Sequence, residues 1–137
     1  MSISYKAGYK YQLVAVYSIQ TLIRPKEMAS NDYVCIYPNG LLTISKGYAW
    51  DGPSGPCPDV PSAMRGSLVH DALYQLIRVC GLWDGFRSFA DDLLRELCIQ
   101  DGMPIICADA IYEGVHLFGS RYTDASAESQ IITVGVN

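Results

Sequence analysis

The segment from Gly47 to Asp92 constrains the fold most, because it joins a stiff loop to two amphipathic helical stretches. Residues 47–61 contain three glycines and four prolines. Proline fixes φ and glycine permits φ values that other residues avoid, so such a loop can hold its backbone carbonyls in set directions. The composition is compatible with a loop that approaches a cation or a substrate, and equally with a plain connector between a sheet and helices.

Apolar residues recur at helical spacing on both sides of a short turn. We predict a first helix over residues 63–80, with Ser62 as its N-cap and Gly81 after its last residue. A second helix is predicted over residues 86–100, after a turn in which Asp84 is a candidate N-cap. Because the turn is short and both helices have an apolar face, they are expected to pack as an antiparallel pair.

Polar side chains of these two helices form a candidate site. His70 and Tyr74 are four residues apart, and Asp71 and Tyr74 are three apart, so all three lie near one another on the first helix. Asp91 follows His70 by 21 residues, a separation that suits a helix, a turn and a returning helix. Two interpretations of Asp91 remain open: a member of a solvated ion ladder with its flanking arginines, or a carboxylate that turns inward to orient His70.

These residue types have the chemistry of a hydrolytic site. A histidine whose tautomer is fixed by a carboxylate can act as a general base toward water. A second carboxylate and loop carbonyls would supply the oxygen ligands that calcium prefers, and calcium would polarise an ester carbonyl. A transition-metal hydrolase is the weaker alternative, because the other histidine, His116, is distant in the chain. We predict a structural role for His116 near the C-terminal end of a third helix, where the helix dipole favours an imidazolium.

The remaining segments predict an α+β fold. The other predicted elements are a strand within 10–20, a hairpin of 33–37 and 41–45, a helix over 105–118 that ends at Gly119, and a strand at 131–136. The Asn39-Gly40 pair is typical of a type I′ turn in that hairpin. We therefore predict a single domain, residues 1–137, in which a small antiparallel sheet from the N- and C-terminal segments packs on a three-helix layer.

Composition argues against several classes of protein. The formal net charge of −4 is unfavourable for a nucleic-acid binder. The five cysteines are odd in number and form no CxxC pair, so neither a zinc knuckle nor a full disulfide framework is expected. The apolar run at 13–17 is too short for a signal peptide or a membrane span. Ten tyrosines are many for this length and suit an interaction surface.

The His-Asp-x-x-Tyr sequence at residues 70–74, the glycine loop before it and the Ala90-Asp91 pair on the next helix resemble the secreted phospholipase A2 superfamily. The similarity is greatest to the viral-capsid type, which lacks the disulfides, and it covers about a third of the chain. It implies that His70 is the base, that Asp71 is a calcium ligand, and that Asp91 and Tyr74 form a supporting network. Phospholipid is the substrate that it implies.

The same resemblance implies a calcium-binding loop. Backbone carbonyls around Trp50, Gly52 and Ser54 would be the additional calcium ligands. The loop departs from that family's pattern, because Asp51 and Pro53 stand where more glycine is usual. The departure bears on whether these carbonyls converge on one cation.

A second resemblance covers roughly residues 33–120. GYAWDGPSGP, then LVHDALYQ, then Arg87 with Ala90-Asp91, are similar in order and spacing to a phage and prophage domain family of unassigned function. It implies a phage origin, a location in the virion or the host cytoplasm, and contacts with other virion proteins or with further copies of the chain. Two hypotheses follow: a capsid or tail accessory protein with a hydrolytic site, or a structural virion protein whose His/Asp/Tyr cluster is a buried network.

Overall fold

The computed structural model describes residues 3, 5–7, 11–53 and 60–123. Its helices and strands are β1 (Tyr5–Ala7), β2 (Tyr11–Leu13), β3 (Tyr17–Gln20), β4 (Ala29–Ser30), β5 (Val34–Ile36), β6 (Leu41–Ile44), β7 (Ala49–Trp50), α1 (Pro61–Cys80), α2 (Arg87–Gln100) and α3 (Ile105–Thr123). A short 3₁₀ turn, Asp84–Phe86, precedes α2. The predicted strand at 131–136 lies outside the described residues.

The α+β fold is confirmed for the described residues, which form two small antiparallel sheets and three helices. One sheet has the strand order β1-β2-β7 and the other β3-β6-β5-β4. The single strand predicted within residues 10–20 is wrong, because β2 and β3 belong to different sheets. A continuous strand would place Ala15 on the buried face with Leu13 and Tyr17, whereas residues 14–16 are exposed where the chain crosses between the sheets.

The hairpin of β5 and β6 is confirmed, but its turn is not of type I′. Gly40 N–H donates to the Tyr37 carbonyl at 2.8 Å, and Tyr37 N–H donates to the Leu41 carbonyl at 3.0 Å. These bonds place Pro38 and Asn39 at the centre of the turn and leave Gly40, with φ of 91°, as the third loop residue. A three-residue loop with a left-handed glycine suits a proline that cannot adopt positive φ.

The two glycines Gly40 and Gly81 allow the hairpin geometry to be tested. Both have positive φ, but a Cβ atom on Gly40 would lie 2.6 Å from the carbonyl oxygens of Thr21 and Ile23, whereas one on Gly81 would meet nothing within 4 Å. We expect Gly81→Ala to lower the unfolding free energy by about 1–2 kcal/mol through backbone strain alone. Gly40→Ala should cost about 1–3 kcal/mol more, because of the added clash. Equal losses in urea unfolding would contradict this hairpin geometry.

Helices α1 and α2 form the predicted antiparallel pair, because contacts run in opposite directions along the two helices. Arg65 near the start of α1 bonds to Asp101 just after α2, and His70, further along α1, reaches back to Asp91. A Cβ atom on Gly66 would lie 3.0 Å from Leu94 Cδ1, so the absent side chain permits close packing of the helices. This packing sets the level at which the polar side chains of the two helices meet.

The predicted helix ends shift in three places. α1 begins at Pro61, with Val60 rather than Ser62 at the N-cap position, because proline fits the first turn of a helix without loss of a hydrogen bond. The 3₁₀ turn moves the start of α2 to Arg87. α3 continues past Gly119 to Thr123, since an interior glycine weakens a helix without necessarily ending it.

Candidate functional site

His70 of α1 and Asp91 of α2 form the centre of the candidate site. His70 Nε2 lies 2.7 Å from Asp91 Oδ1, and the Tyr74 hydroxyl donates to the same oxygen at 2.6 Å. Asp91 is fully buried, with 0% of its surface exposed. The inward interpretation of Asp91 is therefore confirmed and the solvated ladder is wrong for this residue. The next arginine, Arg95, pairs instead with Asp109 of α3.

Hydrogen bonding defines how protons are arranged on this pair. Burial, and next the hydrogen bond to Asp91, raise the pKa of Tyr74, so its hydroxyl remains a donor. An ionised carboxylate only accepts hydrogen bonds, so opposite an ionised Asp91 the neutral imidazole of His70 has its proton on Nε2 and its lone pair on Nδ1. The rings of His70 and Tyr74 lie 4.1 Å apart, which restrains the imidazole plane.

A second hydrogen-bonded pair joins the sheets to the helix next to His70. The hydroxyl of Tyr48 donates to Asp71 Oδ2 at 2.6 Å. Burial raises the pKa of the Asp71 carboxyl, while the Tyr48 hydrogen bond and the positive charge of Arg78 oppose that shift. Burial and the Asp71 charge also raise the pKa of Tyr48. Tyr48 was not predicted as a site residue. Its sequence signal is the pair of aromatic residues Tyr48 and Trp50 at strand spacing, and both are buried in the structure.

The Tyr48–Asp71 pair gives stability a defined pH dependence. Because burial holds the folded pKa of Asp71 above its unfolded value, its contribution is complete below about pH 3.9 and is lost as pH rises through the folded pKa. Tyr48→Phe removes a hydrogen bond that lowers this pKa, so the decline should extend to higher pH. Asp71→Asn should abolish that part of the decline. The free energy of unfolding in urea is measured across the acidic pH range for wild type, Tyr48→Phe and Asp71→Asn. Superimposable pH profiles of this free energy would contradict a raised pKa of Asp71.

A cavity of about 40 Å³ lies beside His70 and Asp71. It is lined by Gly52, Pro53, Ser67, His70, Asp71, Leu94, Ile111 and Val115. A cavity holds a water molecule once about 10–15 Å³ is open to the centre of a water-sized probe, so this space accommodates a few waters. The loop after β7 and the three helices thus border a small cavity next to the imidazole that is large enough for water.

The residues predicted for the calcium loop occupy different environments. Gly52, with φ of 79°, borders the cavity together with Asp71. Trp50 lies in β7 and its indole N–H donates to Ser67 Oγ at 3.1 Å, so its side chain anchors the loop to α1. Ser54 lies outside the described residues. Among the described side chains, no group of three or more His, Cys, Asp or Glu is arranged to hold a metal ion.

His116 of α3 also contacts the site, in addition to the predicted site residues. Its Nδ1 lies 3.3 Å from Asp91 Oδ2, and 48% of its side chain is exposed. The predicted end of α3 at Gly119 placed His116 near a helix terminus, whereas α3 continues and packs His116 against α2. The four-residue spacing of Tyr112 and His116, whose rings stack at 5.2 Å, is the sequence signal that marks this face of α3.

Comparison with known proteins does not add to this geometry. No protein-family model, curated protein or solved structure matches the chain. None of the described helices combines the length and the hydropathy that crossing a membrane requires.

Proposed function

We propose that the chain hydrolyses an ester bond with a water molecule activated by His70, with calcium as cofactor and phospholipid as the substrate class. The observation that carries the proposal is the 2.7 Å contact between His70 Nε2 and the buried carboxylate of Asp91, at the edge of a cavity large enough for water. We further propose that the chain is a phage-associated accessory protein, on the strength of its sequence resemblance.

Each side chain has a role in the proposed reaction. Nδ1 of His70 takes a proton from the water as its oxygen bonds to the ester carbonyl carbon. The imidazolium that forms is stabilised by Asp91, and Tyr74 holds the accepting oxygen of that carboxylate in place. When the tetrahedral intermediate collapses, the bond to the alcohol oxygen breaks and His70 returns the proton to that oxygen. The products are the carboxylic acid and the alcohol.

The donor set beside His70 fits calcium in its chemistry, because it consists of oxygen atoms. Asp71 and the backbone of Gly52 border the same cavity, and Tyr48 engages Oδ2 of Asp71 alone. Asp71 and the Gly52 carbonyl would hold the ion, which supplies polarisation of the ester carbonyl when bound. Asp91 orients the base, and His70 transfers the proton.

Thermal unfolding with and without calcium tests the cation. For wild type, calcium at about a hundredfold excess over its Kd should raise the unfolding free energy by about 2.7 kcal/mol. Asp71→Asn should remove most of this rise, because a charged ligand is lost. Asp92→Asn, the same change at an exposed position of α2, should retain it. Absence of any calcium effect on the wild type would remove the cation from the proposal.

A structural virion protein is the second candidate, and two observations favour it. Asp91 receives three hydrogen-bond donors and Asp71 is bonded to Tyr48, so both carboxylates are already satisfied within the fold. Several large apolar side chains are exposed and suit contacts with neighbouring chains: Leu22, Trp83, Ile106 and Leu117. This candidate requires background-level hydrolysis together with self-association or binding to particles in sedimentation experiments. A stable monomer would count against it.

A further inference from the structure

Asp91 is the point at which all three described helices meet through polar contacts. α1 contributes His70 and Tyr74 to Oδ1, and α3 contributes His116 to Oδ2 at 3.3 Å. The carboxylate itself is completely buried. An ionised carboxylate accepts and does not donate, so opposite an ionised Asp91 the facing nitrogen of His116, Nδ1, carries a proton. In the proposed reaction, Oδ1 of Asp91 holds His70, whereas the contact of Oδ2 with His116 has no role.

The ring of His116 is itself held in place by α3 and α2. Tyr112, one turn earlier on α3, stacks on His116 with 14° between the ring planes. Burial and the nearby charge of Asp92, the exposed neighbour of Asp91, raise the pKa of Tyr112. Asp91 of α2 therefore contacts one member of a stacked pair of rings on α3. The stack with Tyr112 restrains the direction from which His116 approaches Oδ2.

We propose that His116 is a positioning residue for the hydrolysis, whose Nδ1–H donates to Oδ2 of Asp91 and sets the plane of the carboxylate. The inference rests on the proposed function for its catalytic consequence. Rotation of an aspartate carboxylate about its last torsion is broad and has no sharp staggered minima. Two donors that share Oδ1 do not by themselves define the plane, whereas a third donor on Oδ2 does.

The position of the carboxylate plane matters because it determines where His70 points. Nε2 of His70 follows Oδ1, so rotation of the carboxylate turns the imidazole and moves Nδ1 relative to the cavity. A displacement of about 1 Å in a reacting group can lower a rate by about a hundredfold. His116 would thus orient Asp91, which in turn orients His70. Residues that hydrogen-bond to metal ligands orient those ligands in the same way.

Two substitutions of similar size separate the hydrogen bond from the volume of the side chain. In His116→Asn, an amide N–H occupies nearly the place of Nδ1 and retains a donor. In His116→Leu, a methyl group occupies that place and donates nothing. We expect His116→Leu to lower kcat for ester hydrolysis by about 10- to 100-fold with little change in KM, and His116→Asn to remain within about threefold of wild type. Equal kcat in wild type and His116→Leu would overturn the inference.

Nitrogen-15 NMR of the imidazoles gives a readout that does not depend on hydrolysis. The chain has two histidines, so the spectrum contains two rings. In wild type at about pH 8, we expect Nδ1 of His116 and Nε2 of His70 to be protonated. The His70 Nε2–H signal should persist in His116→Asn and should shift or broaden in His116→Leu.

A wild-type spectrum in which His116 is protonated at Nε2 alone would overturn the inference without any variant. If the expected tautomers and the Asn/Leu difference appear but the wild type hydrolyses no ester, the proposed function fails and the positioning role of His116 stands. If hydrolysis is present and insensitive to both substitutions, the positioning role fails and the proposed function stands.

Discussion

Replacing His70 by glutamine should lower kcat for ester hydrolysis by about 10²- to 10⁴-fold, the range attributed to a positioned general base. The side-chain amide nitrogen of glutamine lies close to the place of Nε2, so the hydrogen bond to the buried Asp91 can be retained. The lone pair at Nδ1 is lost, and no other atom of the glutamine side chain takes its place. We therefore expect the unfolding free energy to change by less than about 1 kcal/mol.

The measurement combines initial rates with chemical unfolding of the same preparations. Leu117→Gln is a suitable control, because its side chain is 70% exposed on α3 and makes no contact that the mechanism uses. The control should retain both rate and stability. A His70→Gln protein that is fully folded and as active as wild type would show that His70 is not the base.

Asp91→Asn should reduce both stability and activity, whereas Asp92→Asn should change stability by no more than about 0.5 kcal/mol. The two residues are adjacent on α2, but Asp91 is fully buried and Asp92 is exposed. The asparagine oxygen can still accept from His70 and Tyr74, but its amide group turns two donor hydrogens toward His116. A mismatched buried polar contact of this kind costs about 1–3 kcal/mol.

In Asp91→Asn, kcat should fall by more than the loss of folded protein explains. The neutral amide no longer stabilises the imidazolium that forms on His70, and the tautomer of His70 is less well defined. We expect kcat to fall by about 10²-fold or more at temperatures where the variant is fully folded. Equal effects of the substitutions at positions 91 and 92, in unfolding and in rate, would contradict the buried network.

Local sequence patterns predict the parts of the fold in which near neighbours in the chain determine the structure. The hairpin around Pro38–Gly40 and the helix pair follow from turn residues and apolar periodicity, and both are confirmed. The break at residues 14–16 was not predicted, because Leu13 and Tyr17 have the spacing of one continuous strand. The choice between two sheets depends on two hydrogen bonds between residues distant in the chain: Leu13 N–H donates to the Tyr48 carbonyl, and Gly47 N–H donates to the Leu13 carbonyl.

The candidate site was predicted only in part, because some of its contacts join residues that are distant in the chain. The spacing of His70, Tyr74 and Asp91 places them at one level of two antiparallel helices, although it did not decide whether Asp91 faces inward. Burial decides that question, since a carboxylate with three donors can be enclosed without an unsatisfied group. Tyr48 and His116 were missed, because both reach the site through the packing of the sheets and α3 against α1 and α2.

Release of fatty acid from phospholipid vesicles by the wild-type protein tests the central claim most directly. The assay is run with calcium and with a chelator, beside His70→Gln in calcium. The account predicts release well above the buffer background in calcium, and release at background level both with chelator and for His70→Gln. Equal, background-level release by the wild-type protein with calcium and with chelator would contradict a calcium-dependent phospholipid hydrolase.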